Sequence, residues 1–344
     1  MKQYDVFLNG SPLPDDALPH LFEVSVDEDV AAPSLFVLRL AEADDLDRLF
    51  RWIDDAALFA IGTAVEIRFG QPGALQSVMT GEITALEPDF GGGRPSLTVR
   101  GYDRRHRLQR GRKTRSFVEQ TDSDIAAQIA REAGLRAQCE TTATMLDYVL
   151  QNNRTDFEFL QERAGRIGYE VTVEDRTLFF RPSGNAASDT LSLTFGADLF
   201  EFSPRLSTTG QVASVTVRDW DPRRKKLIVA TADRPDARMG GKQSGSELVT
   251  AAFGAAALVE IGHSAASEDE AQTIARGLFN RMALELIVGE GTCAGSANLR
   301  AGKVIGLRGL GERFSGSYYV TRAIHHVTAD RGYETRFEVR RTTL

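Results

Sequence analysis

The N-terminal third of the chain alternates between apolar and polar positions. Phe22, Val24 and Val26 do so, as do Val65, Ile67 and Phe69 in TAVEIRFG and Leu97 and Val99 in PSLTVRG. A period of two with one apolar face predicts half-buried strands. Asn9-Gly10 is a tight-turn dipeptide placed to join the first strand to the next. Gly91-Gly92-Gly93 predicts a loop between GEITALEPDF and PSLTVRGYD. One helix interrupts the strands, around Asp44 to Asp54, where Leu46, Leu49, Phe50 and Ile53 line one face.

Near Val118 the period changes. TDSDIAAQIAREAGL has a Thr/Asp/Ser start, Ile125 and Ile129 four apart, and Gly134 as a stop. In YVLQNNRTDFEFLQERAGRIGYEV, Tyr148 to Val171, Thr155 and Glu158 have capping-box spacing. Phe157, Leu160, Ala164 and Ile167 then share a helical face. Asp156 and Glu158 suit the N-terminal end of the helix dipole, and Arg163 and Arg166 the C-terminal end. Gly168 is a left-handed stop. Tyr169, Val171 and Val173 form a strand that turns at Glu174-Asp175-Arg176-Thr177 and returns through Leu178 to Phe180. SGNAASD, Ser183 to Asp189, is a connector.

Strands resume at Thr190, in TLSLTFG, QVASVTVRDWD and KKLIVATA. Asp233 to Ser246 is polar and Gly-rich, and predicts a mobile surface loop. A long helix follows, near 267–287. Ser267 and Glu270 have capping-box spacing, and Ala271, Ile274, Leu278, Met282 and Leu286 form a stripe ending at Gly289. GKVIGLRGL, GSYYVTRAIHHVTA and GYETRFEVRR close the chain as strands. The order is β, α/β, then β with one long helix. The β parts are too strand-dense for a parallel α/β fold and predict antiparallel barrels or sandwiches. The segments are 1–118, 119–188 and 189–344.

Composition excludes more than it assigns. The 344 residues carry a net charge of −7, which argues against general nucleic-acid binding. No apolar run reaches the roughly 20 residues of a membrane span. MKQYDVFLNG lacks the apolar core of a signal peptide, so the mature protein is expected to begin near Met1 and to be cytoplasmic on synthesis. Cys139 and Cys293 form no zinc or CxxC pattern and are expected to be small buried hydrophobes.

The candidate chemistry is thin. Arg100 to Arg115, RGYDRRHRLQRGRKTR, holds eight Lys/Arg and one acid. Phosphate binding is one reading, but Tyr102 is the single aromatic there for base stacking. An ion-paired protein interface or a solvated face is the other. His325-His326 lies in a strand, where adjacent rings point to opposite faces and do not share a metal readily. His20, His106 and His263 lack metal-site spacing. There is no GxSxG elbow, P-loop or dinucleotide fingerprint. A carboxylate pair for glycoside hydrolysis has no signal beyond the 48 Asp and Glu. No catalytic, cofactor-binding or metal-ligating residue is assigned, no cofactor is expected, and the interaction residues are unknown.

The Tyr148–Val171 segment, with its QxNxTDFxFL helix followed by GYEV, resembles the phage late control protein D family. The hub portion of type VI secretion VgrG proteins shares that fold. MTGEITALEPDF, LTVRGYDRRHRLQRGRKTRSF, LTFGADLFEFSPRLSTTGQVASVTVRDWDPRRKK and the stretch from RMALELIVGEG to FEVRR agree in order, so the resemblance covers nearly the whole chain. It implies a mainly β fold of two tube-like antiparallel β-barrels plus a smaller inserted α/β domain. It implies a non-catalytic baseplate hub, a homotrimer whose six barrels match a hexameric inner tube on one face and a trimeric spike on the other. Other baseplate components would join it in a phage tail or contractile injection particle. The chain ends at Leu344 after the second expected barrel, so the spike is expected to be a separate polypeptide. In this the pattern resembles the free-standing hubs of extracellular contractile injection systems more than a fused VgrG. A tail-associated peptidoglycan hydrolase and a nucleic-acid-binding protein are the alternatives.

Overall fold

The computed structural model describes residues 3–42, 50–91, 93–222, 224–262, 265, 267–328 and 330–344. The N-terminal part contributes β1 (Tyr4–Leu8), β2 (Ser11–Pro12), β3 (Leu21–Asp29), β4 (Leu35–Ala41), β5 (Ala64–Gln71), β6 (Ala74–Asp89) and β7 (Ser96–Tyr102). Asn9 and Gly10, at φ 50° and 83°, reverse the chain so that Leu8 faces Ser11. Positive φ at both positions is what a two-residue hairpin of this hand requires. Val24, Val26, Leu38, Ile67, Phe69 and Val99 point inward and build a first core.

Two expectations change here. Phe22 does not share the inward face of Val24 and Val26. The β3–β4 register shifts between Leu21 and Glu23, and such a bulge reverses side-chain parity. Leu21 therefore enters the core, while Phe22 faces outward beneath the Arg39 guanidinium, 5.3 Å from the ring centroid. The helix expected over 44–54 has Leu46 and Leu49 outside the described residues. Of the remainder, Phe50 to Ile53 form a turn, in which the Trp52 and Ile53 N–H groups donate to the Glu42 carboxylate.

The α/β insertion follows, with β8 (Lys113–Gln120), α1 (Asp122–Glu132), β9 (Arg136–Cys139), β10 (Leu146–Arg154), α2 (Asp156–Ile167), β11 (Tyr169–Glu174) and β12 (Thr177–Pro182). β8 and β10 form an antiparallel ribbon; β11, β12 and a parallel β9 form a small sheet. Phe117, Ile125, Ile129, Leu160, Val171 and Phe180 give this unit a core of its own. Both of its helices begin with reciprocal capping boxes, Thr121 with Asp124 and Thr155 with Glu158.

The C-terminal part contributes β13 (Leu191–Thr194) and β14 (Leu199–Leu206), then a second small unit. This holds β15 (Ser214–Asp221), β16 (Lys226–Ala232), α3 (Gly245–Phe253), β17 (Ala257–Ile261) and α4 (Glu268–Ala283). Its strands run β16-β15-β17. Ala271, Ile274 and Leu278 of α4 pack on one face of that sheet, against Val215, Val217 and Ile228. The long helix thus serves a core distinct from the second β core. It is also shorter than 267–287. Leu286 has the right spacing to extend the stripe, but Leu286 and Ile287 are buried in the second β core, where Ile287 opens the next strand.

Asp233 to Ser246 is anchored. The Lys242 N–H donates to the Leu344 carbonyl and the Leu344 N–H to that of Gln243. Thr342 Oγ1 donates to the Ala237 carbonyl at 2.7 Å. Met239 and Ser244 are buried, and Ser244 caps α3. The loop composition is that of an exposed segment, but the chain's last residues satisfy its backbone.

The remaining elements are β18 (Ile287–Ala294), β19 (Val304–Arg308), the one-turn α5 (Gly311–Phe314), β20 (Gly316–Thr328) and β21 (Gly332–Arg341). One sheet path runs β14-β18-β21-β20-β3-β4-β7-β6-β5-β1-β2, with β19 beside β20 and β13 beside β19. Leu193, Leu199, Ile305, Tyr318, Val320 and Phe337 fill a second core. The protein is mainly β, with antiparallel walls around two cores and an α/β insertion. The two cores are not independent. The β20–β21 hairpin sends Val327 and Tyr333, near its turn, into the first core, and Tyr318, Val320 and Phe337 into the second.

Candidate functional site

Several polar residues between Tyr148 and Val171 are engaged in caps and hydrogen bonds of the fold. The Thr155 hydroxyl accepts from the Glu158 N–H at 3.1 Å, and the Glu158 carboxylate accepts from the Thr155 N–H at 3.0 Å. Two otherwise orphaned N–H groups are thereby satisfied. Gln151 is fully buried. It accepts from Arg115 Nε at 2.8 Å and donates to the Arg154 carbonyl and to Asp156, each at 3.0 Å. Gly168, at φ 73°, ends α2.

Arg163 and Arg166 do more than face a helix dipole. Arg163 makes a buried two-limbed pair with Asp122 in the first turn of α1. Arg166 reaches Glu270 of α4 at 3.3 Å, while Ser267 Oγ caps α4 by accepting from the Glu270 N–H. α2 and α4 touch closely beside this pair. A Cβ on Gly277 would lie 2.6 Å from the Arg166 carbonyl oxygen, so the contact requires a glycine.

The basic run from Arg100 to Arg115 is mostly spent on acids of the same chain. Arg100 meets Glu87, Arg105 meets Asp103, Arg112 meets Glu158, and Lys113 and Arg115 meet Asp156. Glu82 on β6 is the densest node. It accepts from Arg104 Nε at 3.1 Å and Arg107 Nε at 2.8 Å, and His106 Nε2 lies 3.0 Å away. Arg104 continues to Asp175 in the β11–β12 turn at 2.7 Å. The run therefore fastens the insertion to the first core. Burial pushes the Glu82 carboxyl up, but the hydrogen bonds and charges of Arg107, His106 and Arg104 outweigh it and hold the group at about 2.

A second polar node joins the two cores. Arg300, between β18 and β19, grips Glu28 of β3 (Nε to Oε2, 2.7 Å) and donates to the Val78 carbonyl of β6 at 2.7 Å. His325 is fully buried beside it, with Nδ1 2.8 Å from the Tyr333 hydroxyl and Nε2 3.6 Å from Glu28. Burial pushes the Glu28 carboxyl up, and Arg300 with His325 overcomes that and holds it below the usual carboxylate range. His326, on the opposite face, lies near Glu23 at 3.3 Å. Strand parity separates the two rings as expected. His263 lies outside the described residues, and among the described residues no group of His, Cys, Asp and Glu is placed to hold a metal.

Two clefts border these nodes. One, of about 620 Å³, lies between α2, α4 and the β20–β21 hairpin and includes Tyr169, Arg276 and Tyr319. The other, of about 700 Å³, separates the first core from the insertion and includes Arg105, Thr172 and Arg300. Cys293 is buried and Cys139 half-buried; desolvation pushes the Cys293 thiol up to about 12 and the Cys139 thiol to about 11. No described helix is long and apolar enough to cross a membrane.

Glu28, Glu82 and Arg300 escaped sequence reasoning, because their partnerships cross up to 272 positions of chain and no local pattern marks them. Other features carried a weak signal. KKLIVATA is apolar on both strand faces, although α4 covers only one of them. Leu227 and Val229 are exposed on the other, with Trp220 and Ile261 from the neighbouring strands.

This arrangement of two β-walled cores with an α/β insertion matches the fold of phage tail proteins. The 43 kDa tail protein of prophage MuSo2 from Shewanella oneidensis superposes with a TM-score of 0.72 at 14% identity, covering 99% of this chain and 98% of that one. A tail protein from Neisseria meningitidis gives 0.70 at 13% identity over 98% and 96% of the two chains. The E. coli protein c3393, described as a component of the type VI secretion system, gives 0.62 at 14% identity, covering 97% of this chain and 76% of that one. The sequence profile of the Alg8 N-terminal domain matches residues 1–329, and the chain belongs to that family. No curated protein matches the sequence.

Proposed function

We propose that this protein is a structural baseplate hub of a phage tail or contractile injection particle. In this reading three copies form a ring that adapts a hexameric inner tube to a trimeric spike. The observation that carries it is the pair of β-walled cores on one continuous sheet. If the two cores are read as equivalent tube-like units, two per chain, three times over, offer six positions to a six-fold tube while keeping three-fold symmetry for a spike. Closed rings of this kind are built from heterologous contacts. The end-to-end likeness to tail proteins supports the reading, as does the sequence resemblance to the late control protein D family. In this reading β1–β7 with the lent β20–β21 hairpin build the first barrel, β8–β12 with α1 and α2 the insertion, and β13, β14 and β18–β21 the second barrel, which carries the β15–β17 unit as an addition.

The polar nodes suit a load-bearing part. Glu82 and Glu28 tie the insertion and the two cores together with charge-assisted bonds, which are stronger than neutral ones and fix geometry. The role proposed for these residues is positioning; none is given a catalytic one.

The deciding experiment mixes the full chain with its tube and spike proteins and measures mass by light scattering. Three copies per assembly, bound to both partners, are expected. A chain that stays monomeric and binds neither partner would overturn the proposal.

A further inference from the structure

Two sheet faces of this chain are apolar and uncovered. On the β16-β15-β17 sheet, the face opposite α4 presents Trp220, Leu227, Val229, Val259 and Ile261, between 40% and 74% exposed. The strand registers make these one patch. Trp220 sits opposite Leu227, and Arg218 lies between Val229 on one side and Ile261 on the other. Arg218 is exposed and has no acidic partner among the described residues. On the β8–β10 ribbon, Val118 and Tyr148 are opposite one another, with Leu150 and Met145 alongside, all between 46% and 61% exposed. Glu119 projects beside them from a backbone with φ 51°, also exposed and without a cationic partner among the described residues.

We propose that these two faces meet between neighbouring copies of this chain. The β15–β17 face of one copy packs on the β8–β10 face of the next, and Arg218 of the first pairs with Glu119 of the second. Three observations converge. The first is exposure: large apolar side chains stand uncovered in neighbouring register positions on each face, and contiguous exposed apolar groups of this kind mark interaction surfaces. The second is charge: the cation Arg218 lies within one patch, while the other is bordered by an acidic edge where Glu119 lies across the ribbon from Asp147; Trp and Arg together are the usual composition of an interface hot spot. The third is symmetry: the faces are unlike and lie on different elements, as a head-to-tail ring contact requires; a two-fold dimer would use one face twice. Open sheets pack face to face readily. The strand β16 is apolar on both faces, the pattern of a strand covered on both sides.

This contact rests on the hub reading, and the test separates the two. The full chain is assembled with tube and spike proteins, and its stoichiometry is followed by light scattering over a dilution series. Trp220→Asp is expected to raise the dissociation concentration about a hundredfold, and Arg218→Glu or Glu119→Arg about tenfold each. The chain carrying both charge reversals is expected to regain assembly, because the pair is restored with its signs exchanged. Circular dichroism on each variant verifies folding. A wild-type chain that never assembles overturns the hub reading and the contact together. Wild-type assembly by Trp220→Asp, or no rescue by the double reversal, overturns the contact alone. A Trp220→Asp chain that still forms trimers but loses the spike would assign the face to that partner and also overturns the contact.

Discussion

Arg300 and Glu28 form an ion pair across the joint between the two cores, at 2.7 Å, although 272 positions separate them in the chain. Arg300 also reaches the β6 backbone at Val78. One side chain from the C-terminal part thus holds two N-terminal strands.

Arg300→Met should destabilise the protein by about 3–5 kcal/mol, because it leaves the Glu28 carboxylate buried and uncompensated. Adding Glu28→Gln should recover much of that loss. Urea unfolding of the wild type and the two variants checks this; equal stability of Arg300→Met and wild type would remove the pair from the stability of the joint.

The Glu82 node predicts acid sensitivity. The folded group titrates at about 2, below its ordinary value of 4.5. Its stabilising contribution is therefore complete above about 4.5 and is lost as the pH falls towards 2. Glu82→Gln should flatten the dependence of the urea midpoint on pH across that window, and the wild type should show the steeper fall.

The α2–α4 contact predicts a cost for a single methyl. Gly277→Ala places a Cβ against the Arg166 backbone and should destabilise by about 1–3 kcal/mol through overpacking. Thr155→Ala, which removes the α2 cap, should cost about 1 kcal/mol. Thermal unfolding reads both, and the glycine variant should show the larger drop.

Neither thiol should react in the native state. Cys293 and Cys139, held at about 12 and about 11, present almost no thiolate at pH 8. A chromogenic disulfide reagent should titrate no thiol in the folded protein and both in denaturant.

The local elements of Tyr148–Val171 were legible because each depends on neighbours within four residues. The Thr155–Glu158 box, the apolar face of α2 and the Gly168 stop are all such short-range features, and all are present. The ionic roles of the same segment were not legible. Arg163 belongs to Asp122 and Arg166 to Glu270, partners that only packing brings within reach.

The sequence by itself determined the period of most segments, with their caps and turns, because these are properties of consecutive residues. Tertiary structure decided the rest. A bulge at Leu21–Glu23 turned Phe22 outward against its parity. Leu286, which fits the stripe of α4, went to the second core. The polar loop at 233–246 was fastened by the chain's last residues. The β20–β21 hairpin made one continuous sheet of what the alternation alone reads as two separate β parts. In each case local preference leaves the pairing open, and a distant contact fixes it by burying apolar surface or satisfying a backbone group that the local sequence cannot.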